Sequence, residues 1–162
     1  MKMIRPVPCL LVLAALFASA PGKAASEGTL IWTEKTDGGS VSLAYGSLDT
    51  AQNPLFLLSC FNEMDIVVLN IFSVIEGTRP GQPVTIELSG GSEKATLKAQ
   101  SEIDRKTASM FAEAGEVEVD PLLAVLRADG PVTLKMGFTT KTMSDAGREQ
   151  AVDQFRKDCR VS

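Results

Sequence analysis

The sequence predicts a mainly β domain of the α+β class. We expect a single antiparallel β-sandwich or curled sheet of about seven to nine strands, with a short helix near 121–128 and a C-terminal helix near 145–158 packed on it. Three observations carry this expectation. Short segments rich in β-branched and aromatic residues recur between Gly, Pro, Asn and Asp turn signals, the pattern of strands joined by tight connections. Helical periodicity with start and stop signals appears only in the last third of the chain. Cys60 and Cys159 are the cysteines left once the N-terminal segment holding Cys9 is set aside, and they join mid-chain to the extreme end.

Taken in order, residues 1–24 read as a cleaved secretory signal peptide of the general export type. Lys2 and Arg5 precede an apolar run at 9–18, and small residues follow through Ala25. A run of about ten residues is too short for a membrane span, which takes roughly 20. Cleavage is expected after Ala20, Ala24 or Ala25; Pro21 disfavours the first. Cys9 opens the apolar run instead of following it, so a lipoprotein is not expected. Residues 25–162 then form a single exported globular domain, periplasmic or secreted.

Strands are expected at 29–34 and 41–45 around the turn Asp37-Gly38-Gly39, then at 55–61 and 66–72. The last two are the most apolar of the domain. Alternation puts Phe56, Leu58 and Cys60 on one face and Leu55, Leu57 and Phe61 on the other, which predicts central strands covered on both faces. Residues 77–83 are a loop by composition, 84–88 a half-exposed strand, and Gly90-Gly91 a hairpin turn into 95–99. Between 100 and 119 two strands, 109–113 and 116–119, compete with a helical turn. Asp120 is the expected N-cap of the short helix, Pro121 its first residue and Gly130-Pro131 its stop. Residues 132–138 resume strand alternation. Ser144 is the expected cap of the final helix, whose stripe Ala151, Val152, Phe155 and Cys159 faces the core. A Cys60–Cys159 disulfide would therefore staple a central strand to a terminal helix that otherwise frays readily.

Removing residues 1–24 takes away Lys2, Arg5 and Lys23, which leaves 13 basic against 20 acidic residues and a net charge of −7. So acidic a surface repels nucleic acid, and no nucleic-acid partner is expected. Histidine is absent from the whole sequence. That removes Ser-His-Asp and Cys-His catalysis and the commonest zinc sites. Residues 77–81 lack the Lys-Ser/Thr ending of a phosphate loop, and neither a Ser-x-x-Lys set nor an EF-hand loop occurs in the mature chain. No metal site, cofactor or catalytic residue is expected. Paired carboxylates, Glu116 with Glu118 and Glu63 with Asp65, leave acid-catalysed glycoside hydrolysis open, but they read better as solvated charges.

Trp32, Tyr45 and Arg79 are the candidate interaction residues. The two aromatics could anchor a partner or pack in the core of the first strands, and Arg79 lies in the second of two candidate binding loops, 49–54 and 79–83.

Leu43-Ala44-Tyr45-Gly46, the strand around Phe56 to Cys60, and the closing Ala151, Phe155 and Cys159 give the chain a resemblance to small exported proteobacterial disulfide-linked domains. It is more loosely similar to the periplasmic accessory proteins of type VI secretion. These also pair a mid-chain strand cysteine with one near the end of a terminal helix, after a short Leu-rich helix. The likeness runs over roughly residues 40–160 as an order of elements. In that family an acidic segment follows the first Trp strand, matched in part here by Asp37-Gly38-Gly39. What the resemblance implies is the fold.

The function expected is a non-catalytic exported interaction or envelope-accessory module. Its partner would be another envelope or secreted protein, without stable membrane insertion. A secreted inhibitor of an envelope-directed hydrolase such as a lysozyme is the alternative, since an acidic surface suits a basic target.

Overall fold

The computed structural model describes residues 29–47, 52–75 and 77–161. The expected signal peptide and residues 49–51 of the first candidate loop lie outside them. Nine strands and two helices follow in the order β1 (Ile31–Asp37), β2 (Ser40–Gly46), β3 (Phe56–Phe61), β4 (Ile66–Ile71), β5 (Pro83–Gly90), β6 (Glu93–Ile103), β7 (Met110–Ala114), α1 (Val119–Arg127), β8 (Val132–Met136), β9 (Thr139–Met143) and α2 (Arg148–Asp158). All described strand pairs are antiparallel, and the sheet order is β1-β2-β3-β4-β7-β6-β5-β8-β9. The expected mainly β fold is what is seen, in the curled-sheet form: a half-barrel with one helix mid-chain and one at the C-terminus.

Alternation builds the core. Val41, Leu43 and Tyr45 of β2, Phe56, Leu58 and Cys60 of β3, and Val67, Leu69 and Ile71 of β4 are buried on one face, as are Ile86, Leu88 and Leu134 farther round. Onto this face α1 packs Leu122, Leu123, Val125 and Leu126 against β5 and β6, and α2 packs Ala151, Val152 and Phe155 against β1 and β2. Gly90 is glycine because α1 passes so close: a Cβ there would stand 2.7 Å from the Val125 carbonyl oxygen. Arg148, buried at the start of α2, donates to the Ala128 carbonyl at 2.6 Å and so ties α2 to the end of α1.

The Cys60–Cys159 disulfide is present, closing a separation of 99 residues with its Cα atoms 5.8 Å apart. Cys159 caps α2, its N–H donating to the Phe155 carbonyl at 2.8 Å. Asn62 reinforces the junction by donating to the Asp158 carbonyl at 3.0 Å and accepting from the Arg160 N–H at 2.8 Å.

Several expectations need correction. Strands β3 and β4 are interior, paired on both edges, but their outer faces, with Leu57, Phe61, Ile66 and Val68, are only half-buried and not fully covered as expected. Strand β6 runs well past residue 99, to Ile103, and 116–118 form no strand, because Glu116 turns the chain at φ 52°. Helix α1 starts two residues early, after Glu118 and without a side-chain cap, so Asp120 is not the N-cap. Pro121 then occupies the third helical position, where a missing N–H is still harmless because the first four have no intrahelical acceptor. Ser144 does not cap α2 either. Gly147 precedes that helix in the left-handed region at φ 76°, and residues 144–146 run beside β1 instead. The expected strand 132–138 ends at Met136: Gly137, at φ 55°, and Phe138 form a two-residue turn into β9, a strand the sequence did not reveal.

Candidate functional site

Antiparallel neighbours send successive loops to opposite ends of a curled sheet. One end collects the start of β1 and the connections β2–β3, β4–β5, β6–β7 and β8–β9. The other collects β1–β2, β3–β4, β5–β6 and the approach to α1. The two ends differ in chemistry.

Five large hydrophobic residues are exposed among the described ones, and four of them, Leu30, Val74, Ile103 and Phe138, lie at the first end; Met64 alone is at the other. Phe138 is 93% exposed and Val74 75%. The glycine in the left-handed position of the β8–β9 turn leaves Phe138 as its outward residue. Thr139 at the foot of that turn donates its hydroxyl to the Val74 carbonyl at 3.1 Å, which joins the two tips. Beside them Phe72, Val74 and Met110 line an open groove of about 630 Å³ together with Asn53 and Thr107. The Phe72 ring stacks on Phe111 with centroids 5.2 Å apart.

The β6–β7 turn at this end is held by one carboxylate. Asp104 accepts from the Lys106 N–H at 2.8 Å and from Asn53 Nδ2 and the Thr107 hydroxyl at 3.0 Å. These bonds, the backbone one first, hold its pKa below the usual aspartate value. Arg105 and Lys106 project from the turn, exposed and outside all three ion pairs among the described residues. Arg79 lies in the neighbouring β4–β5 loop. It is exposed, its N–H donates to Gln82 Oε1 at 2.9 Å, and its carbonyl accepts from the buried Ser101 hydroxyl.

At the opposite end Asp65, Glu116, Glu118 and Asp120 line an open cavity of about 500 Å³. The structure thus brings the Glu116–Glu118 pair to Asp65, while Glu63 is not part of the lining. All four carboxylates are exposed, whereas a glycosidase acid is held in an apolar enclosure that keeps it protonated. Among the described residues no set of three acids, cysteines or histidines converges closely enough to hold a metal.

Trp32 and Tyr45 are in the core, 2% and 4% exposed. Trp32 donates Nε1–H to the Ser144 carbonyl at 2.7 Å, and Tyr45 Oη accepts from the Ser144 N–H at 3.1 Å. Their rings lie 5.1 Å apart, with Phe56 5.2 Å from Trp32. Of the three candidate interaction residues, only Arg79 offers its side chain to solvent. Phe138 and Val74 were not singled out by the sequence; the signal available was a Gly-Phe pair where the alternation of Val132, Leu134 and Met136 stops. No helix among the described residues is long and apolar enough to cross a membrane. No family model, curated protein or solved structure matches the chain, so its own surface carries the functional reading.

Proposed function

We propose that the protein is a non-catalytic exported interaction or envelope-accessory module whose working surface is the apolar end. The observation that carries this reading is that four of the five exposed large hydrophobic side chains among the described residues, Leu30, Val74, Ile103 and Phe138, stand at the same end of the strands of a stapled sheet, with the Val74 and Phe138 tips joined through Thr139. Leaving an aromatic ring in water at a loop tip stabilises nothing in the isolated fold, and grouped apolar exposure marks contact surfaces. The disulfide supports an oxidising compartment, in keeping with the signal-peptide reading of residues 1–24. Its partner in this reading is an envelope component, not nucleic acid, and its docking is peripheral.

Chemical cross-linking in intact cells followed by mass spectrometry tests the proposal. Wild type gives discrete adducts that the Val74→Ser/Phe138→Ser double variant loses while keeping its fold. Identical adducts from both proteins remove the apolar end as the working surface.

The alternative, a secreted inhibitor of a basic envelope-directed hydrolase, is favoured by one observation: the cavity edged by Asp65, Glu116, Glu118 and Asp120 would attract a cationic target. Inhibition of lysozyme by the purified protein, weakened by Glu116→Gln and Glu118→Gln, is the result that would support it. No inhibition at high micromolar concentration removes lysozyme as the target.

A further inference from the structure

We infer that the apolar end docks on an anionic lipid surface, an inference that rests on reading that end as the working surface. Its shape favours a fluid partner. Phe138 and Val74 protrude at 93% and 75% exposure, and the groove beside them is open, whereas a protein anchor is met by a fitted pocket. Apolar tips that project from a rigid frame enter the headgroup region without needing a complementary surface, and flanking cations hold them there.

Charge supplies the second argument. Arg79, Arg105 and Lys106 are exposed in the loops that carry the apolar tips and make no ion pair among the described residues, while Asp104 of the same turn stays ionised but is tied down by three hydrogen bonds and Glu102 is half-buried on the strand that leads into it. Asp49 and Glu76 of the neighbouring loops lie outside the described residues. The far end carries Glu63, Asp65, Glu116, Glu118 and Asp120 together with the exposed Arg156, Lys157 and Arg160 at the end of α2, and among the described residues Asp120 pairs with Arg156 at 3.3 Å. An acidic molecule is repelled as a whole by an anionic bilayer, so the attraction is local: the three exposed cations beside the apolar tips turn that end toward the surface. The outcome is orientation together with weak, salt-sensitive attachment.

The test is sedimentation of the exported, disulfide-linked protein with two vesicle preparations: phosphatidylcholine alone, and equal parts of phosphatidylglycerol and phosphatidylcholine. At low salt the protein binds the anionic vesicles and not the neutral ones, and salt releases it. Phe138→Ser weakens binding about tenfold, as expected for losing most of one buried aromatic side chain. Arg105→Gln/Lys106→Gln weakens it by a similar or larger factor. Glu118→Gln at the far end changes it little. Near-UV circular dichroism from buried Trp32 shows that each variant is folded. Failure of wild type to bind anionic vesicles overturns the inference, as does binding that Phe138→Ser leaves unchanged. Absent vesicle binding combined with protein adducts that depend on Phe138 in cells overturns lipid docking alone. Absence of both overturns the function proposed for this end as well.

Discussion

Breaking the Cys60–Cys159 link should cost the protein a large share of its stability while leaving the native structure in place. The bond spans 99 residues, which includes most of the sheet and both helices. In the chain-entropy account, a loop of about 100 residues contributes about 4.7 kcal/mol by restricting the unfolded chain. Against a typical total of about 5–15 kcal/mol for a domain, that is between a third and nearly all of it. The corresponding fall in melting temperature is on the order of 15–25 °C. The native state should survive because α2 has other attachments. Ala151, Val152 and Phe155 are buried, Arg148 holds the Ala128 carbonyl, and Asn62 holds Asp158 and Arg160. The assay is urea unfolding of wild type and of Cys60→Ala/Cys159→Ala, followed by circular dichroism and Trp32 fluorescence. The double variant should show a lower midpoint and a steeper denaturant dependence, since its unfolded chain exposes more surface. Its folded baseline should be unchanged. A midpoint shift equivalent to less than about 1 kcal/mol would refute the entropic reasoning. Loss of native Trp32 signal before any denaturant is added would refute the claim that α2 is independently docked.

Four further outcomes follow from single contacts. Phe155→Ala, which empties a fully buried site under α2, should destabilise by about 3–5 kcal/mol in the same unfolding assay. Gly147→Ala should destabilise by about 1–2 kcal/mol from the left-handed conformation alone, and more because its Cβ would lie 2.8 Å from the Trp32 carbonyl oxygen; the Trp32 N–H to Ala146 bond should then exchange faster with deuterium. Asn62→Ala should cost about 1–2 kcal/mol and speed exchange of the Arg160 amide, which loses its acceptor. The folded Asp104 pKa lies below its unfolded value, so its stabilising contribution is present above the unfolded pKa and lost as pH falls through the folded one. Carboxyl NMR should therefore give Asp104 a midpoint below that of an unstructured aspartate, with the Lys106 amide losing protection as that carboxylate protonates; a midpoint at or above the ordinary value contradicts the hydrogen-bond geometry.

Much of the fold was readable because burial on one face writes itself into a strand as alternation. Val84, Ile86 and Leu88, or Val132, Leu134 and Met136, leave few other interpretations. Strand β9 escaped because Thr139–Met143 buries only Met143; a strand with little inward face has no apolar period to detect. Both helix starts were misplaced for a related reason. Asp120 and Ser144 have the chemistry of caps, but Pro121 fits the third helical position as well as the first, and the side-by-side run of 144–146 with Trp32 delays α2. The staple was legible, because once residues 1–24 with Cys9 are read as a signal peptide, the two cysteines that remain on core-facing positions have one way to pair. The candidate surface was not. Phe138 and Phe155 are the same residue type in comparably ordinary surroundings, yet one is 93% exposed and the other fully buried. Only the strand topology, which sends alternate loops to one end, places Leu30, Val74, Ile103 and Phe138 at the same end of the sheet. The same geometry withdrew Trp32 and Tyr45 from the surface and committed them to holding Ser144.

The most direct test of the apolar end as the working surface is paired photo-cross-linking in intact cells. A photoreactive side chain is placed at position 138 in one strain and at 118, across the molecule, in another. The account predicts strong, discrete adducts to lipid or protein from position 138 and little from position 118. Dominant adducts from position 118 would contradict it and hand the functional surface to the acidic end.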